Sequence, residues 1–112
     1  MAWDGAVTIG DRKINLQIGG ESEPDARLLR HAREIVSAFE EFEAKVTSCL
    51  EAGKPQFKAH EQEIEHLQIE SIALYWPERP EDGMIYFQGP DKYRLWRCDI
   101  IQRTPTGLGF DD

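Results

Sequence analysis

The chain has 112 residues, 40% of them hydrophobic and 30% charged, with a formal net charge of -8. That length suits one domain able to bury about two-thirds of its unfolded surface without cross-links. No apolar run nears the roughly 20 residues that span a bilayer, and thirteen basic residues against 21 acidic ones argue against nucleic-acid binding.

Trp3 to Ile9 and Lys13 to Ile18 read as two strands joined across Gly10-Asp11-Arg12. In the second, Ile14, Leu16 and Ile18 alternate with Lys13, Asn15 and Gln17, the period of a half-buried strand. Gly19-Gly20 ends it. Ser22 or Glu23 is expected to cap a helix opened by Pro24 and Asp25, because proline and acids suit the first turn. From about Asp25 to Leu50, Leu28, Ala32, Ile35, Val36, Phe39, Phe42, Val46 and Leu50 recur at steps of three and four. Arg30, Arg33, Glu34, Glu40, Glu41, Glu43 and Lys45 fall on the other side, so one face packs on a sheet and one meets water. Gly53 and Lys54-Pro55 stop the helix.

Phe57, Ile64 and Leu67 share a face of a short second helix, with Glu61, Glu63 and Glu65 expected in solvent. A strand follows in which Ile69, Ser71 and Ala73 oppose Ile72 and Leu74, ending at Trp76-Pro77. Pro77 to Gly83 reads as an exposed loop. Met84 to Gln88 and Tyr93 to Ile101 make a second hairpin across Gly89-Pro90-Asp91-Lys92, and a short strand near Leu108 to Phe110 closes the chain. The expected architecture is a single α+β domain over residues 1–112. Its antiparallel sheet has about five to six strands, two N-terminal and three to four C-terminal. One long amphipathic helix packs on one face, beside a short second helix. About 26 helical residues would span roughly 39 Å, so such a helix must cross the whole domain, bend or overhang.

Chemistry is sparse. His60-Glu61-Gln62-Glu63-Ile64 begins like a zinc-protease helix, but position 64 lacks the second histidine, and His31 has no partner at ligand spacing. His60 and His66 are expected in solvent. No metal or cofactor is expected. Gly107-Leu108-Gly109-Phe110 matches a carboxylate-binding loop, yet too little chain follows to build a groove. Ser37, Ser48 and Ser71 lack a glycine elbow. Cys49 and Cys98 stand outside any paired motif and are expected as free thiols in a cytoplasmic protein.

The C-terminal strands are rich in aromatics: Trp76, Tyr86, Phe87, Tyr93 and Trp96. In a sheet covered on one face, alternate residues point outward, so either Tyr93, Leu95 and Arg97 face solvent or Trp96 does. The expected partner surface takes Tyr86, Tyr93 and Arg97 as anchors, with Glu78, Glu81 and Asp82 steering a basic protein. Trp3-Asp4-Gly5, the long helix, Ile69-Glu70-Ser71-Ile72 and the closing Gly107 to Asp112 segment resemble a group of small bacterial proteins of unknown function. Members of that group are similar to immunity proteins of bacterial toxin systems. The resemblance implies an acidic single-domain binder that blocks a toxin; the charge suits a basic partner, and the chain is expected as a monomer or homodimer. It implies no catalytic residue. A small ligand-binding domain or enzyme with a cleft between helix and sheet is the alternative, and a self-associating structural protein a third.

Overall fold

In the computed structural model, which describes residues 2–111, six strands form one sheet in the order β1-β2-β3-β4-β5-β6. They are β1 (Ala2–Ile9), β2 (Arg12–Gly19), β3 (Gln68–Leu74), β4 (Gly83–Gln88), β5 (Leu95–Ile101) and β6 (Thr104–Asp111). Between β2 and β3 run α1 (Ala26–Ser37), α2 (Phe39–Gly53), a 3-10 stretch (Lys54–His60) and the single turn α3 (Glu61–Ile64). The helices lie on one face. The fold is α+β, with principal extents of 43 × 27 × 25 Å. No described helix is long and apolar enough to cross a membrane.

The expected sheet is corrected at one seam. β2 and β3 are parallel, with Asn15 opposite Ser71 and Ile18 opposite Leu74, while every other pair is antiparallel. The helical run is itself the crossover that a parallel pair requires, since it carries the chain from the end where β2 finishes back to the end where β2 began. β6 is also longer than expected, because it begins right after a two-residue turn at Gln102-Arg103. β5 is shorter, beginning at Leu95, and Tyr93 belongs to the preceding turn.

The single long helix is also corrected. It breaks at Ala38, whose φ of -121° and ψ of 41° leave the helical region. The Ser37 hydroxyl donates to the Glu34 carbonyl at 3.1 Å, and the Ala38 amide donates to the same oxygen at 3.2 Å. Back-bonding of this kind bends helices. The cap differs too: Asp25, not Ser22 or Glu23, accepts from the Arg27 and Leu28 amides at 2.9 and 3.4 Å. Pro24 lies outside the helix and bridges to Gly20.

Helical spacing nonetheless predicts the core. Leu28, Ala32, Ile35, Phe39, Phe42 and Val46 are buried against Ile14, Ile18, Ile72, Leu74, Ile85, Phe87, Trp96, Cys98, Ile100 and Leu108. Val36 is only half-buried. Two glycines set the geometry. Gly10 takes φ +65° in the first hairpin turn, where a side chain is disfavoured. At Gly53 a Cβ would stand 2.6 Å from Leu108 Cδ2, so glycine lets the end of α2 rest on β6 without displacing the Leu108 side chain. Arg12 pins the first hairpin to α2, reaching Glu43 at 2.6 Å with its guanidinium over Phe39.

Candidate interaction surface

Because the helices cover one face, strand parity decides what the other displays. Phe87 and Trp96 are buried, as are Ile85 and Cys98, which puts Tyr86, Leu95 and Arg97 on the uncovered side. In β3 a bulge between Ile69 and Ser71 breaks the expected alternation. Its extra residue turns Ile69 inward beside Phe87 while Ser71 faces out beside Tyr86.

Tyr86 sits at the centre of this outer face, between Ser71 on β3 and Arg97 on β5. Met84 and Leu95 flank it, Leu95 being 42% exposed, and Ile101, 52% exposed, closes the far end of β5. Tyr75 donates through its hydroxyl to Gln17 Oε1 at 2.5 Å, and burial is the first cause raising the Tyr75 pKa. A shallow cleft between the N-terminal hairpin and β3–β5 is lined by Asp4, Asn15, Gln17, Glu70, Tyr86 and Leu95. The charges on this face are chiefly acidic: Asp4, Glu70, Asp99 and Asp111 outnumber Lys13 and Arg97. Arg97 is itself engaged, its Nε 3.3 Å from Asp111 Oδ2.

The structure brings Tyr86 and Arg97 together as a cross-strand pair. It places the remaining candidates at opposite ends of β4, a strand about 17 Å long at roughly 3.4 Å per residue. Tyr93 is 78% exposed beyond one end, in a turn where its amide donates to Asp91 Oδ1 at 2.9 Å. Glu78, Glu81 and Asp82 lie beyond the other end. Asp82 already accepts from the Gln102 amide at 2.9 Å, and the Glu81 carbonyl from the Arg103 amide at 3.0 Å. Gln102 and Arg103 hold φ of 51° and 69°, so the acidic loop clamps a turn whose backbone glycine or asparagine would adopt more readily. Glu78 is exposed near Arg27.

Two buried polar sites were not foreseen. Glu63, expected in solvent, is only 11% exposed at its side chain and accepts from Arg94 Nη1 at 2.6 Å and Trp96 Nε1 at 3.0 Å. His60, also expected in solvent, stands 3.5 Å from Glu63 and edge-on to Trp96 and Phe110, which Phe57 also contacts. The i, i+3 spacing of His60 and Glu63 put them on one helical face. The partners on β5 had no such signal. The second site is His31, 4% exposed, with Nε2 unpartnered and Nδ1 3.7 Å from Glu34. Burial, then Arg103, push its pKa down. His66 stays exposed, as expected, its Nδ1 2.7 Å from the Gln62 carbonyl.

Among the described residues, no group of three or more His, Cys, Asp or Glu is arranged to hold a metal. Arg94, Arg97 and Arg103 each face a different carboxylate: Glu63, Asp111 and Glu34. The architecture defines the class: an α+β domain, helices on one face of a mixed six-stranded sheet and the other face open. Comparison with protein families, with curated proteins and with solved structures finds no match for this chain. Asp112, the last residue of the segment that resembles the bacterial group, lies outside the described residues.

Proposed function

We propose that this chain is a cytoplasmic protein-binding module that docks a basic protein on the open face of its sheet, in the manner of an immunity protein neutralising a toxin. One observation carries the reading: the uncovered face sets exposed Leu95 beside the Tyr86–Arg97 pair, with Ile101 at the far end of β5, within a predominantly acidic surround. Aromatic and arginine anchors are the side chains enriched at binding hot spots, and surplus carboxylates accelerate encounter with a cationic surface. Tyr93 extends the surface past one end of β4, and Glu78 and Glu81 steer from the other. Nucleic acid and membrane are not the partners in this reading, which needs no cofactor.

The test begins with a partner captured from native lysate and identified, then measured with purified components. The reading expects a basic protein whose association slows as salt rises, since screening acts over about 8–10 Å. Leu95→Asp and Tyr86→Ala should each weaken binding by more than about 1 kcal/mol while the unfolding midpoint moves little. Unchanged affinity in both variants would remove the open face from the interface.

A further inference from the structure

Cys49 and Cys98 are 49 positions apart in the chain, yet their sulfurs lie 3.4 Å apart, one on α2 and the other on β5. Both are free thiols. Cys98 is fully buried, but Cys49 is only partly buried and borders a small open cleft lined by Ala52, Gly53, Gln56, Thr106 and Leu108. The pair thus has one thiol that a small molecule can reach and one that only its partner can reach.

We propose that Cys49 and Cys98 are a modification site, closing into a reversible disulfide when the protein meets a hydroperoxide. The electronic asymmetry matches the difference in access. A hydrogen bond from Cys98, then the Leu108 amide, bring the Cys49 pKa down to about 7, against the opposing effect of burial. The thiolate partner and burial hold Cys98 well above the ordinary thiol range. Because it is the thiol that borders the cleft, Cys49 is the nucleophile. Its thiolate attacks one peroxide oxygen; the S–O bond forms as the O–O bond breaks, and the departing hydroxide takes a proton to become water. The Cys98 sulfur then attacks the Cys49 sulfenic acid, the S–S bond forms, and the S–O oxygen leaves as a second water with the Cys98 proton. Two thiols lose two electrons and the peroxide gains them. To bond, the sulfurs must close from contact distance to about 2.05 Å, a shift within reach of side-chain rotation.

The inference is independent of any partner on the outer face, because both sulfurs lie on the helix-covered side. The experiment treats the reduced, full-length chain with hydrogen peroxide, then denatures it, alkylates with iodoacetamide and records the intact mass. The expected product is a monomer lighter by about two hydrogens, with neither cysteine alkylated, that dithiothreitol restores. Its melting temperature should rise by about 10 °C or more, since the bond closes a long loop. Cys98→Ser should leave Cys49 as a dimedone-reactive sulfenic acid, whereas Cys49→Ser should leave Cys98 reduced. Alkylation of both cysteines after treatment, or a disulfide-linked dimer as the sole oxidised product, would overturn the proposal. The wild-type mass measurement decides by itself if either serine variant fails to fold.

Discussion

Replacing Glu63 with alanine should be among the costlier changes at a polar residue of this protein. In the wild type its carboxylate holds Arg94 at 2.6 Å and the indole N–H of Trp96 at 3.0 Å, and the Trp96 side chain is fully buried. Glu63→Ala strands that indole donor where water cannot reach it, a cost of about 1–3 kcal/mol. It also removes a charge-assisted bond to a guanidinium that is 19% exposed, although Asp91 remains 3.4 Å from Arg94. The retained neighbour limits that second loss to about 1–2 kcal/mol. The total is about 2–5 kcal/mol, against the roughly 5–15 kcal/mol that holds a typical domain together. Urea unfolding followed by tryptophan fluorescence and far-UV circular dichroism measures it directly, and Glu63→Gln, which keeps an acceptor for Trp96, should recover about half. A loss below about 1 kcal/mol for Glu63→Ala would show that the buried ion pair carries no net stability.

Other substitutions probe separate parts of the structure. Phe39→Ala empties a site at the start of α2 that is 6% exposed and should cost about 3–5 kcal/mol; a urea-unfolding loss below about 1 kcal/mol would move the core elsewhere. The lowered pKa of His31 means that below the unfolded value of about 6.5 the unfolded chain takes up a proton that the native state refuses. Stability should therefore hold above that pH and decline as the pH falls below about 6.5, with the decline shallower in His31→Leu, as thermal melts across pH would record. Asp82→Ala releases the Gln102 amide and frees a turn with two left-handed residues, at a cost of about 1–2 kcal/mol by thermal unfolding. Gln102→Gly should restore part of it.

The periodic parts of the fold were legible in the sequence, and the contacts that join them were not. Steps of three and four from Leu28 to Val46 located the buried helical face, and alternation at Ile14, Leu16 and Ile18 located β2. The break at Ala38 escaped because alanine and serine are ordinary helix residues; the cause is a hydroxyl-to-carbonyl bond at Ser37. The start of β6 escaped because Gln102-Arg103 lacks the glycine or asparagine that marks a tight hairpin, its conformation being imposed by Glu81 and Asp82 from another loop. At the candidate surface, parity tied Leu95 and Arg97 to the fate of Trp96, and burial of Trp96 settles it. Register across strands was invisible. Hence Tyr86 and Arg97 emerge as neighbours while Tyr93 and the acidic loop fall at opposite ends of β4.

The one parallel pairing has a consequence for how the protein assembles. Chain order and sheet order coincide, so β3 to β6 form a meander that zips through successive local turns. β1 and β2 form a separate hairpin, and a four-residue register between β2 and β3 is the only strand pairing that joins it to the rest of the sheet. That ladder can form only after the whole helical run has been closed as a loop, the costliest closure in the topology. Amide exchange should therefore show β1 and β2 opening together, in a cooperative event that leaves β3 to β6 paired. The sheet has a built-in parting line between β2 and β3, and the helices, α1 leaning on β2 and α2 on β6, are the strap across it.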